Sequence, residues 1–161
     1  MERGRIFAMR FTAFFISVVL ATTAQADFTG RVVGITDGDT VRVMRDGEAV
    51  KIWLHGIDAP ESRQAFGSRS KQFLSAVIAG KTVTVVEHDT DRHGRIVGDI
   101  ICDGANVNHA SVDAGMAWWY HKYAPNDSAL DAAEQRAKSA RRGLWSDANP
   151  TPPWDYCRGV R

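Results

Sequence analysis

Residues 55–61 read His-Gly-Ile-Asp-Ala-Pro-Glu and hold two carboxylates, Asp58 and Glu61, on either side of Ala59-Pro60. They directly follow an apolar run that reads as a buried strand. Carboxylates on a loop at a strand end can hold a hard cation through oxygen and position a water. Upstream, Asp37-Gly38-Asp39-Thr40 is a second acidic turn between apolar stretches. Downstream, Asp91-Arg92-His93-Gly94-Arg95 is a basic turn. Two acidic loops and one basic loop point to a metal and a phosphate together, and so to phosphodiester hydrolysis. Each piece also has a plainer reading. Asp37 and Asp39 can be ordinary turn residues, Glu61 a solvated acid or helix cap, and Arg95 a surface strand residue.

The elements that must position these groups follow from pattern. Residues 28–36, 40–43 and 50–54 read as strands rich in Val and Ile. They are joined at Asp37-Gly38 and at Asp46-Gly47, the latter a strong hairpin signal. At 67–79 the period changes to helical, with Phe73, Leu74, Val77 and Ile78 on one face and Gly80 as the stop. Strands return at 81–88 and 95–101. A short helix is expected at 106–114, capped by Asn106 and stopped by Gly115. Residues 116–119 read as a short edge segment. The longest helix is expected at 127–142, with Asn126 capping or turning into it. Its face is Leu130, Ala133, Ala137 and Ala140, with Asp131, Glu134, Arg136 and Lys138 outward. The Pro-rich end should be extended. Five strands and about three helices predict an α+β, mostly β protein: a five-stranded OB-fold-type barrel with packed helices.

The chain has 161 residues, enough for one domain. Residues 1–26 have a different character. Arg3, Arg5 and Arg10 precede an apolar run too short to span a bilayer, and Ala24-Gln25-Ala26 is a small-x-small cleavage site. This pattern predicts a signal peptide at 1–26, a domain at 27–148 and a Pro-rich tail at 149–161. The product would be exported, periplasmic or secreted, with no membrane attachment after cleavage. Cleavage removes three Arg and one Glu, taking Lys+Arg from 20 to 17 and Asp+Glu from 19 to 18, so the net charge becomes −1. A chain that coats nucleic acid through bulk positive charge is excluded; any phosphate affinity must be local. In an oxidising compartment the two cysteines, Cys102 and Cys157, are expected to pair and staple the tail to the body.

The chain resembles the staphylococcal-nuclease-like (thermonuclease) family. The resemblance rests on residues 35–40 (Ile-Thr-Asp-Gly-Asp-Thr), on Gly56-Ile57-Asp58-Ala59-Pro60-Glu61, on Asp91-Arg92-His93-Gly94-Arg95 and on Gly143-Leu144-Trp145. Any one of these is a weak signal; their order and spacing together are specific. The resemblance implies an OB-fold and Ca²⁺-dependent hydrolysis of DNA and RNA by a monomer. It implies Asp39, Asp58 and the carbonyl of Ala59 as metal ligands, Glu61 as the group that orients or deprotonates water, and Arg95 as the phosphate-holding guanidinium.

One position departs from the family pattern. Family members usually carry an arginine five residues before the aspartate of the Asp-x-Pro-Glu loop, and here that place is Trp53. An indole donates a single hydrogen bond and no charge. Lys51 and His55 share Trp53's side of the strand by alternation, and Arg63 follows Glu61; any of the three is a candidate replacement. If none serves, the domain is a catalytically impaired module that binds nucleic acid or a nucleotide. Arg92 and His93 are candidates for a neighbouring phosphate or base. Tyr120 and Tyr123 are candidates for stacking on bases of single-stranded or frayed substrate, while Trp118 fits core packing.

Overall fold

Alternating β-branched and polar residues drive the first half of the chain into strands. The computed structural model describes residues 27–159; the expected signal segment, 1–26, lies outside the described residues. Strands β1 (Phe28–Ile35), β2 (Thr40–Arg45) and β3 (Glu48–Leu54) form an antiparallel meander. Asp46 and Gly47 turn β2 into β3 with φ of 51° and 88°, the positive values a type I′ hairpin requires. A two-residue strand β4 (Ile57–Asp58) precedes helix α1 (Gly67–Ile78). Next come β5 (Thr82–Thr90), β6 (Ile96–Cys102) and β7 (Ala105–Asn106). The rest is helix α2 (Val107–Asp113), strand β8 (Trp118–Trp119), helix α3 (Ser128–Ser139), a 3-10 turn (Gly143–Ser146) and helix α4 (Pro153–Cys157).

The main sheet runs β3-β2-β1-β5-β6-β7, and β3 also pairs in parallel with β6, from Ile52–Ile96 to Leu54–Gly98. This last pairing closes β1, β2, β3, β5 and β6 into a mixed barrel, so the long strands keep no free edge. The expected OB-fold-type barrel is the architecture found. Its interior holds Val41, Val43, Ile52, Leu54, Val85 and Ile100, capped by Leu74 and Ile78 of α1, all essentially without solvent contact. Each such side chain contributes about 1.5–3 kcal/mol by burial. Strand β6 alternates strictly: Ile96, Gly98, Ile100 and Cys102 are buried, while Val97, Asp99 and Ile101 are half-exposed. Among the described residues no helix is long and apolar enough to cross a membrane.

The second half of the chain corrects five expectations. Ala140, expected on the apolar face of the last helix, is exposed just past the end of α3. Asp127, not Asn126, caps α3: its Oδ1 accepts the N–H groups of Ala129 and Leu130, both at 2.9 Å. An ionised cap also suits the positive end of the helix. Glu134, expected outward, is buried, where it accepts the Trp119 N–H at 3.2 Å and Lys138 Nζ at 2.7 Å. The end of the chain is not wholly extended. Pro153 starts α4, consistent with its preset φ, and Trp154 stacks on Tyr120 with ring centres 4.9 Å apart and planes 8° apart. Finally, the cysteines are free rather than bridged. Cys102 is buried at the end of β6 beside Asp103, whereas the docking of Trp154 carries Cys157 to Glu61, Sγ 3.4 Å from Oε1.

Candidate active site

The two acidic loops meet because small residues let them. At Gly38 a side chain would run into Ser70 of α1 and Ala59, and at Gly67 it would strike the Glu61 carbonyl. Asp39, buried just before β2, ties the loops together. Its Oδ1 accepts the Thr40 hydroxyl at 2.9 Å and its Oδ2 accepts the Ala59 N–H at 2.8 Å. Asp58 is fixed by the pairing of β4 with β8, opposite Trp118. Glu61 stands exposed on the following loop, its N–H donating to Gln64 Oε1 at 3.1 Å.

The electrostatics of this cluster are adverse as it stands. Burial pushes the Asp39 carboxyl well above its ordinary range, and the charges of Asp37 and Asp58 add to the rise, against the Ala59 hydrogen bond. Burial also raises Asp58, to about 7, with the charges of Glu61 and Asp37 contributing. Among the described residues no Lys, Arg or His forms an ion pair with Asp37, Asp39, Asp58 or Glu61. Gathered carboxylates without a cationic partner, offering oxygen donors only, suit a hard divalent cation.

Beyond Ile57 the surface opens into a groove of about 690 Å³, lined by Trp53, His55, Arg92, His93, Arg95, Lys122 and Tyr123, among others. Arg95 is held from two sides. Its Nε donates to Asp91 Oδ2 at 2.7 Å, and its guanidinium carbon lies 4.6 Å from the centre of the Trp53 ring. Among the described residues its two terminal nitrogens make no hydrogen bond, so they remain available to a ligand in the groove. Asp91 also accepts the N–H groups of His93 (2.8 Å) and Arg95 (3.0 Å). These bonds outweigh the effect of burial and lower its pKa to about 2. Trp53 therefore stands as a platform behind the remaining arginine. Its own ring meets Tyr123 edge-on at 5.7 Å, and Tyr123 in turn meets Tyr120 at 4.9 Å.

The other sequence candidates divide. Arg92 and His93 are exposed on the groove rim, joined by a 3.1 Å contact from Nε to Nε2. Tyr123 lines the groove, 48% exposed, and Tyr120 adjoins it. Of the candidate replacements for the missing arginine, only His55 lines the groove. Lys51 lies opposite Arg42 of β2, and Arg63 sits on the exposed loop where its carbonyl meets the Tyr156 hydroxyl at 3.5 Å. Sequence reasoning missed Lys122 and the anchoring role of Asp91. Lys122 adjoins an aromatic pair in a loop, and Asp91 is four residues from Arg95, so both had a local signal. It also missed Trp154, whose contact with Tyr120 is long-range.

The family model described as staphylococcal nuclease homologue matches residues 51–147. A protein of Escherichia coli named an uncharacterized endonuclease is 48% identical over 130 residues, covering 80% of this chain and 84% of that protein. A micrococcal nuclease of Shigella flexneri is 37% identical over 169 residues, covering 99% of this chain and 97% of that protein. An uncharacterized endonuclease of Haemophilus influenzae is 37% identical over 144 residues, 89% of this chain and 80% of the other. With its barrel, its acidic loops and these matches along most of its length, the chain belongs to the staphylococcal nuclease homologue family.

Proposed function

We propose that the chain is an exported nuclease that hydrolyses phosphodiester bonds of DNA, RNA or both with a divalent cation, Ca²⁺ foremost. The observation that carries the reading is an unpaired acidic cluster beside a groove into which Arg95 presents two uncommitted nitrogens. The family match and the nuclease names of the relatives support it. Export rests on the pattern of residues 1–26.

Asp39, Asp58 and the carbonyl of Ala59 would hold the cation. Bound there, it would offset the negative charge of the phosphodiester and polarise its phosphoryl oxygen. Glu61, on the solvent side of the cluster, accepts the proton of the attacking water. Arg95 forks the phosphate through its terminal nitrogens and stabilises charge that grows in the transition state. Tyr123 and Tyr120 give bases a face to stack on, and Arg92, His93 and Lys122 meet neighbouring phosphates. A site that must reach one backbone and nearby bases prefers single-stranded or frayed substrate, and the chain is proposed to act as a monomer.

Trp53 favours a second reading, an impaired module that binds without cutting, because it leaves one arginine where the family usually has two. Hydrolysis of single-stranded DNA by residues 27–161, with Ca²⁺ or with chelator, separates the two. The nuclease reading expects cutting that chelator abolishes and that Glu61→Gln lowers about 10²- to 10⁴-fold. An inert parent whose Trp53→Arg variant cuts would establish the binding module. Inert parent and variant together would remove the nuclease reading.

A further inference from the structure

Three side chains outside the acidic cluster converge where the barrel closes. We propose that His55, His88 and Asp99 form a second metal site, for a borderline dication such as Zn²⁺, distinct from the all-oxygen cluster and independent of the nuclease reading. The backbone brings them together. Parallel pairing of β3 with β6 sets Leu54 against Gly98, and the His55 N–H donates to the Gly98 carbonyl at 2.9 Å, so His55 lies beside Asp99. The β5–β6 register steps from Glu87–Gly98 to Asp89–Val97, leaving His88 as the extra residue of a bulge. Bulges re-aim a side chain, and here His88 Nε2 comes to 3.3 Å from Asp99 Oδ2. His55 Nδ1 lies 3.9 Å from Asp99 Oδ1, and the two imidazoles are 4.3 Å apart at their centres.

The ligand atoms of the three residues all lie within 4.8 Å of one another. Two atoms bound to one tetrahedral zinc at roughly 2.0–2.2 Å are themselves about 3.3 Å apart. The His88–Asp99 pair is already at that spacing, and side-chain rotations that move the His55 ring by up to about 1.5 Å would bring it in. Two amides fix the carboxylate in place, Asn108 Nδ2 donating to Asp99 Oδ1 at 2.9 Å and Asn106 Nδ2 to Oδ2 at 3.3 Å. Such outer partners orient metal ligands. Two imidazoles and one carboxylate are donors that suit zinc, whereas hard cations prefer oxygen alone. His55 and His88 also line the groove. The fourth position therefore opens on it, where a water completes the shell.

The test titrates the purified chain, as a Cys157→Ser variant to remove the exposed thiol, with Zn²⁺ in excess Ca²⁺. Calorimetry and the side-chain imidazole NMR signals of its five histidines are read together. One equivalent should bind, shifting the signals of His55 and His88 but not those of His93, His109 and His121. His88→Ala and Asp99→Asn should each weaken binding more than about 10-fold, with melting curves confirming that both fold. Absence of stoichiometric binding, undiminished binding in both variants, or shifts at His93 instead would each overturn the site and leave a histidine–aspartate hydrogen-bond cluster.

Discussion

Arg95 gives Nε to Asp91 and one guanidinium face to Trp53, so its orientation is set by the protein itself. A cation over an indole contributes about 0.5–1 kcal/mol at exposed sites. Trp53→Leu should therefore lower kcat/KM on single-stranded DNA by about 2- to 5-fold, with the melting temperature nearly unchanged. A rise in kcat/KM would show that Trp53 obstructs the groove rather than supporting its arginine. Asp39, Asp58, Glu61 and Arg95 stand out in the sequence only as a set in the order of the family pattern, because each taken singly also fits an ordinary turn, loop or strand position. The fate of His55 is not legible there. Strand alternation puts it on Trp53's side, but only the bulge at His88 decides which neighbour it meets.

The turn from β5 to β6 is an element with its own pH dependence. Asp91 accepts three hydrogen bonds across it, and its pKa in the folded chain, about 2, lies below the usual carboxylate value of about 3.9. A depressed carboxylate stabilises the fold above its unfolded pKa and loses that contribution as pH falls through the folded one. Thermal melts of the wild type and Asp91→Asn should thus differ most above pH ~4 and converge as pH approaches ~2. Helix α3 offers a second test. Glu134→Ala leaves the Trp119 N–H without its buried acceptor, so the urea midpoint should fall by an amount worth about 1–3 kcal/mol. Here the sequence misleads for a physical reason. Helical periodicity assigns a glutamate to the wet face, and only the tertiary approach of β8 turns that position into a hydrogen-bond site. The barrel strands are far easier to read, since each follows from local alternation and from turns at Asp-Gly pairs.

For the whole molecule, the absent crosslink matters most. The tail is held by Trp154 against Tyr120 and Trp118 (ring centres 4.9 and 5.9 Å) rather than by a Cys102–Cys157 bond. Burial, followed by the carboxylates of Asp103 and Glu61, pushes the two thiols above their ordinary pKa. A thiol reagent should modify Cys157 slowly in the native chain and Cys102 only after unfolding, with two equivalents in total. Finding none in the denatured, unreduced protein would restore the bridge. Composition and the compartment expected from the pattern of residues 1–26 favour a bridge, but they do not reveal where an aromatic contact will carry Cys157. The closing seam between β3 and β6 has a further consequence, for the order of folding. Its partners, such as Ile52 and Ile96, are far apart in sequence, and parallel long-range pairs of this kind repay their loop entropy late. Trp53 and His55 stand on one side of that seam, Arg95 and Val97 on the other. A chain still on its way to the native state would already have its hairpin meander, yet no groove. It would bring Trp53 and His55 up to Arg95 only in the last step, when the barrel shuts.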